Sequence, residues 1–159
     1  MKLIVLSDTH GNITPILREI NKIGNVDLLI HLGDYSKDVD KLREMLRVDI
    51  VNVRGNCDFY DYNTKEEEII KVKGKKILLT HGHRYNVKFG VNNLYYRSKE
   101  LGVDIALFGH SHVPMLLEHD SILFFNPGSP TYPRGGNGRS YGILDIGDEV
   151  KPIICKFNP

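Results

Sequence analysis

Short apolar runs recur along this chain, and five of them lead directly into a glycine, a histidine or an acid; that junction constrains the fold more than any other feature. Leu3–Leu6 leads to Asp8 and His10, Leu28–Ile30 to Gly33-Asp34, and Ile50–Val53 to Gly55-Asn56. Ile77–Leu79 leads to His81, and Ile105–Phe108 to Gly109-His110-Ser111-His112. Uninterrupted aliphatic runs of this length read as strands buried on both faces. Between the first two, Thr14 is placed to cap a helix and Pro15 to open it. Ile13, Ile16, Leu17, Ile20 and Ile23 follow at helical spacing, and Gly24 stops the run. Asp38 is read as the cap of a second helix, with Val39, Leu42, Met45 and Leu46 on one face. The order β-α-β-α-β predicts a parallel sheet covered by helices.

Beyond Val53 the pattern changes. Asp58–Glu68 reads as a polar surface loop, Lys75–Thr80 as a strand, and Val91–Leu101 as a helix ended by Gly102. Leu116-Leu117 and Ile122–Phe125 flank a turn at His119-Asp120, and Tyr141–Ile146 and Val150–Phe157 flank Gly147-Asp148, so two hairpins are expected. Two sheets are therefore predicted, at least one of them mixed. The 159 residues fit one domain over positions 1–159.

Composition narrows the function. A chain that is 41% hydrophobic and 26% charged can bury a core, and a net charge of +1 without a basic block argues against a sequence-independent nucleic-acid binder, though not against a nucleotide ligand. Cys57 and Cys155 form no CxxC pattern, which argues for a reducing, cytoplasmic setting without a disulfide framework or zinc-thiolate site. The apolar N-terminal run is too short for a signal peptide, and no run reaches the roughly 18 apolar residues of a membrane span.

In open α/β sheets, ligands bind beyond the carboxyl ends of the strands. Five strand ends would thus deliver Asp8, His10, Asp34, Asn56, His81, His110 and His112 to one edge. Mixed imidazole and carboxylate donors suit Mn²⁺, Fe, Zn²⁺ or Ni²⁺ better than Mg²⁺ or Ca²⁺. Seven donors exceed one ordinary site and suit two ions roughly 3.5–4 Å apart sharing a carboxylate, a pair able to polarise a phosphoryl group and acidify water. Gly33, Gly55 and Gly109 would let the backbone turn tightly and aim the adjacent side chains inward. Singly, Asp-x-His and Gly-Asp are common chance patterns or turns; the ordered set carries the inference.

With Asp8-Thr9-His10, Gly33-Asp34, Gly55-Asn56, His81-Gly82 and Gly109-His110-Ser111-His112 in order, the chain resembles the calcineurin-like metallophosphoesterases. Within them it is most similar to small prokaryotic phosphodiesterases whose third motif reads Gly-Asn-Cys-Asp, and the Asn126-Pro127-Gly128-Ser129 stretch belongs to the likeness. The resemblance implies a four-layer α-β-β-α sandwich of two packed, largely mixed sheets. It implies two divalent ions, commonly Mn²⁺ with Ni²⁺, Fe, Zn²⁺ or Co²⁺ as alternatives, and phosphoester hydrolysis by metal-bound hydroxide. Asp8, His10 and His112 would hold one ion, Asn56, His81 and His110 the other, and Asp34 would bridge them.

Many members of that family place a proton-donating histidine directly after the third-motif asparagine, where this chain has Cys57. A thiol is a poor substitute acid. Leaving groups that need little protonation should be favoured, and Asp58 is the remaining, weaker candidate donor. Asn56, Asp58 and His83 are accordingly the candidate catalytic residues. His83 either touches the substrate phosphate or orients a ligand from behind, or is a half-exposed loop histidine. Arg54 and Arg84 are either phosphate clamps or ion-pair partners, and Asn12 either helps bind an anion at a helix entrance or only turns the chain. His31 reads as a hydrogen-bonded core histidine and His119 as an exposed one. Ser129 lacks a free histidine–carboxylate pair, and the glycine-rich 134–139 segment lacks a Walker ending.

The function expected is a phosphodiesterase acting on small phosphodiesters, with no membrane partner and with homo-oligomerisation left open. The alternatives are a phosphomonoesterase or nucleotide pyrophosphatase at the same site, or a catalytically weak protein-binding scaffold of the same fold.

Overall fold

The computed structural model describes residues 1–157 and contains two five-stranded sheets. In the first, β1 (Lys2–Leu6) lies between parallel β2 (Leu28–His31) and antiparallel β9 (Ser140–Ile146). β3 (Asp49–Asn52) pairs in parallel with β2, and β10 (Val150–Lys156) closes the far edge against β9. In the second, β5 (Lys75–Thr80), β6 (Ile105–Leu107) and β8 (Ile122–Asn126) run parallel. The antiparallel edge strands β4 (Glu67–Val72) and β7 (Met115–His119) flank them. Both sheets are mixed.

Strand periodicity explains the layering. Alternate side chains of a strand point to opposite faces, so Leu3 and Val5 enter one core while Ile4 and Leu6 enter another. Leu3, Val5, Leu28 and Ile30 meet Ile77, Leu79, Ile105 and Leu107 between the sheets. Ile4, Leu6 and Leu29 pack with Ile16 and Ile20 of α1 (Thr14–Ile23) and Leu42 of α2 (Ser36–Met45). On the opposite outer face, Leu78, Ala106 and Phe124 pack with Leu94 of α3 (Asn92–Leu101). The result is a four-layer α-β-β-α sandwich, as the resemblance implied.

Local assignments differ in a few places. Thr14 lies inside α1, and Ile13 occupies the cap position without a side-chain hydrogen bond. Helix α2 begins at Ser36, so Asp38 sits in its first turn; its buried Oδ2 accepts from Thr9 Oγ1 at 2.7 Å and from the Gly11 N–H at 2.7 Å. Strand β4 takes up the end of the expected loop and continues to a turn at Lys73-Gly74, both in the left-handed region. The turn after β7 is Asp120-Ser121, one residue later than expected.

Candidate metal centre

Parallel pairing of β1 with β2, and of β5 with β6, puts the carboxyl ends of these strands on one rim. Asp8 follows β1 and is fully buried. Its Oδ2 accepts from Ser7 Oγ at 2.6 Å and from the His110 N–H at 3.0 Å. Its Oδ1 is buried without a hydrogen-bond partner and lies 3.2 Å from His112 Nε2 and 3.9 Å from both His10 Nε2 and His81 Nε2. Asp34 Oδ1 accepts from the Cys57 N–H at 2.9 Å and sits 3.3 Å from His81 Nε2, while Oδ2 is 3.8 Å from His10 Nε2. His10 Nε2 faces His112 Nε2 at 3.4 Å, and His110 Nδ1 faces His81 Nε2 at 3.2 Å.

Six of the seven expected donors therefore converge from both sheets. The seventh, Asn56, borders the same cavity of about 630 Å³, whose wall also includes Lys88, Tyr132 and Arg134. It is exposed, with its amide nitrogen 3.6 Å from Cys57 Sγ.

The backbone at this rim is strained. Asp8 (φ 58), His10 (φ 46), Asp34 (φ 61), His110 (φ 65) and His112 (φ 58) all adopt left-handed conformations. Such residues cost roughly 1–2 kcal/mol each relative to ordinary backbone and persist where surroundings over-determine them. The surroundings here are specific. Asn126 Nδ2 donates to the Gly109 carbonyl at 2.9 Å and to Ser111 Oγ at 3.0 Å. Ser129 Oγ donates to the Asp8 carbonyl at 2.9 Å, and Thr131 Oγ1 to the Thr9 carbonyl at 2.9 Å. Of the three motif glycines only Gly33 (φ 98) needs its conformational freedom. Gly55 and Gly109 are required by proximity, since a Cβ would overlap the Asp34 carboxylate at the first and Ser7 Oγ at the second.

Tautomers are fixed from behind. His81 Nδ1 donates to the Leu32 carbonyl at 2.8 Å and His112 Nδ1 to the Tyr132 carbonyl at 2.7 Å, which leaves each Nε2 facing the cluster. Burial opposes the Asp8 charge, but His112, His81 and Ser7 hold its carboxyl below the usual range. Burial likewise opposes the Asp34 charge, and the His81 and Cys57 contacts hold that carboxyl far down. Burial lowers His10, and burial reinforced by His81 pushes His110 down to about 4, so both imidazoles are neutral at neutral pH. His81 is different: burial disfavours its charge, yet Asp34 and Asp8 raise its pKa above the ordinary value.

This donor set fits a divalent cation. Among the described residues, the two buried carboxylates have only histidines as charge partners within 4.0 Å. Buried charge without a permanent counter-ion is costly, and Asp8 Oδ1 accepts no hydrogen bond among the described residues. Apposed imidazole nitrogens and ionised carboxylates are the state in which such side chains bind metal.

Asp58 departs from the sequence reading. Its Oδ2 accepts from the Asp34 and Gly55 N–H groups at 2.9 and 2.7 Å, and its Oδ1 from the Tyr35 and Ser36 N–H groups at 2.8 and 2.7 Å. A carboxylate holding four backbone donors has no place for a transferable proton; it pins the start of α2 to the third motif. Arg54 and Arg84 both pair with Glu66. His83 is half-buried, 5.5 Å from His81 between ring centroids, and its Nδ1 is buried without a partner. His31 is a core histidine: Nδ1 accepts from the Gly33 N–H at 3.3 Å, and Nε2 meets Thr9 Oγ1 at 3.0 Å. His119 is exposed. Sequence reasoning missed Ser7, Thr131 and the contacts of Asp38 and Asp58, because Ser7 acts on the neighbouring Asp8 carboxylate and the others on backbone groups that no motif announces.

Residues 1–149 match the calcineurin-like phosphoesterase superfamily domain. The chain belongs to that superfamily. It is 37% identical over 155 residues to the probable metallophosphoesterase YsnB of Bacillus subtilis, covering 96% of this chain and 89% of that protein. It is 31% identical over 180 aligned positions to phosphodiesterase YfcE of Escherichia coli K12, covering 98% and 92%. Among solved structures, a conserved uncharacterized protein from Streptococcus pneumoniae TIGR4, a predicted phosphoesterase, superposes with a TM-score of 0.83 at 32% identity, covering 98% and 88%. Wild-type Vps29 from Entamoeba histolytica, solved as a complex with Zn²⁺, gives 0.79 at 26% identity, covering 99% and 100%. Membership in this superfamily makes the protein a candidate metal-dependent phosphoesterase, and the rim of strand ends is where its chemistry would reside. Among the described residues no helix is long and apolar enough to cross a membrane.

Proposed function

We propose that the protein is a metal-dependent phosphodiesterase acting on small phosphodiesters, with the candidate centre holding two divalent cations, Mn²⁺ foremost. One observation carries the proposal: two ionised, buried carboxylates meet four imidazoles, and among the described residues no lysine or arginine nitrogen lies within 4.0 Å of either carboxylate. The grouping of Asp8, His10 and His112 supports their sharing one ion, and Asp34 beside both His10 and His81 supports a bridging place between that ion and a second held by His81, His110 and Asn56. Bound divalent cations supply Lewis-acid polarisation of the phosphoryl group and lower the pKa of water.

The protein's own groups do the rest. Leu32 and Tyr132 carbonyls hold His81 and His112 in the donor tautomer. Lys88 and Arg134 border the cavity where a phosphate would sit, and the unpartnered His83 Nδ1 is a further group for a phosphate oxygen. Burial, together with Asp34, pushes the Cys57 thiol up to about 12, so it retains its proton and is a weak acid toward a departing alkoxide. Activated aryl esters are therefore the preferred substrates. The free thiols of Cys57 and Cys155 suit a reducing cytoplasm.

Purified protein supplied with Mn²⁺ should hydrolyse bis(4-nitrophenyl) phosphate, and Asp34→Asn or His110→Ala should abolish the activity. Full activity in either variant would refute the assignment. The likeness to Vps29 favours a second reading, a protein-binding scaffold, and a metal-loaded preparation inert on mono-, diesters and anhydrides alike would support it. Comparing mono- and diesters of one leaving group separates the phosphodiesterase from a phosphomonoesterase.

A further inference from the structure

A second cavity, of about 780 Å³, shares His10 and Cys57 with the metal-centre cavity, and Tyr35, Phe59 and Tyr60 line it. Its volume lies in the range of pockets that hold whole small molecules. A single phosphoryl group needs far less. The three aromatic side chains are 44%, 70% and 89% exposed, an amount of ring surface left to water that no packing requirement explains.

Tyr35 is the informative residue. Its backbone is left-handed (φ 81, ψ 68), a genuine outlier for a bulky side chain. The Asp58 carboxylate enforces that conformation by accepting the N–H groups of Asp34, Tyr35 and Ser36. The constraint sets the Tyr35 ring edge-on to His10, with centroids 5.5 Å apart, and over Gly11, where any Cβ would stand 3.5 Å from the ring. Strain of this kind, held by surrounding groups beside a reactive centre, marks a side chain placed for a ligand. Polar groups suited to the edge of a heterocycle border the same space: the Asn52 amide, whose oxygen already accepts from Arg43 at 2.9 Å, and Lys37, which pairs with no acid among the described residues.

We propose that this cavity stacks the nucleobase of the substrate, so that the preferred phosphodiester carries a nucleoside on one side of the reacting phosphorus. The proposal rests on the phosphodiesterase reading above for its reaction, and on the cavity alone for its ligand. Aromatic faces accept any flat heterocycle, and a net charge of +1 without a basic block in the sequence favours a mononucleoside ester over a polymer.

Two measurements test it. In the first, adenosine 5′-monophosphate and ribose 5-phosphate are compared as competitive inhibitors of bis(4-nitrophenyl) phosphate hydrolysis by Mn²⁺-loaded protein. The nucleotide should inhibit roughly tenfold more tightly, the effect of one stacked base. Tyr35→Ala and Tyr60→Ala should bring the two inhibition constants together, and Tyr35→Phe should keep them apart. In the second, saturation-transfer NMR on metal-free protein should reach the adenine protons of the nucleotide in wild type and lose them in the alanine variants. Equal inhibition constants in wild type, or a preference untouched by both alanine substitutions, overturns the base site while the phosphodiesterase stands. Adenine saturation that depends on Tyr35 in a protein inert toward every ester sustains the base site and sinks the phosphodiesterase.

Discussion

Cys57 stands one residue after Asn56, donates its backbone N–H to Asp34 and borders the metal-centre cavity, and in the proposed reaction a proton donor would stand at this position. Its thiol keeps its proton, and Asp58 is saturated by backbone donors, so neither supplies a leaving group with a proton readily. Introducing an imidazole should relieve that deficit. Cys57→His should accelerate hydrolysis of a diester with an unactivated alkyl leaving group by at least about tenfold, against the roughly 10²–10⁴ of a well-placed general acid. It should change the rate on 4-nitrophenyl esters little. Steady-state rates over a series of leaving groups give the answer, and an unchanged dependence on leaving-group pKa would exclude a missing acid as the limitation.

Two buried polar anchors fix the elements around the centre. Removing the first, in Asp58→Ala, orphans three N–H groups at the entry to α2 and that of Gly55 in the third motif, and should cost at least about 3 kcal/mol in urea unfolding of metal-free protein. A loss of activity with no loss of stability would restore Asp58 to a catalytic part. The second anchor is His31, which joins β2 to Thr9 and, through the Thr9 hydroxyl, to Asp38 of α2. Burial pushes its pKa from 6.5 down to about 4, so the fold holds it neutral. The unfolded chain takes up this proton as pH falls through 6.5, whereas the folded chain does not until about 4. Stability from this group is thus complete above the upper value and declines between the two, by about 3 kcal/mol in all. Chelator-treated wild type should lose roughly that much more than His31→Gln over this interval, and parallel pH profiles would contradict it. Element by element, the buried strands were legible because an unbroken aliphatic run has few other uses. Strand β4 was not, since Glu67, Glu68 and Lys71 on an edge look like loop polarity and Lys73-Gly74 is an uncommon turn pair.

For the molecule as a whole, the sandwich was legible from the order of runs and the likeness of its motifs. That Asp8, His10, Asp34, His81, His110 and His112 stand beyond strand ends followed from strand polarity; that they meet from two sheets, and not at the edge of one, did not. Tyr35 and the partners of Asp58 were hidden because their placement depends on two consecutive left-handed residues, Asp34 and Tyr35, which sequence spacing does not encode. A cation at this rim binds the folded state only, so saturating Mn²⁺ at about 100 times Kd should add about 2.7 kcal/mol, or roughly 5–10 °C in Tm for a chain of this size. Asp34→Asn should shrink the shift. A melting temperature indifferent to Mn²⁺ and to chelator would count against any divalent site.

Asp8, His10 and Asp34 hang from one sheet, whereas His81, His110 and His112 hang from the other. An ion gripped by both sets is a rivet through the sandwich as much as a reagent. Amide exchange at Ser7–His10 and Gly109–His112 should consequently slow when the ion is seated, reporting occupancy with no substrate present.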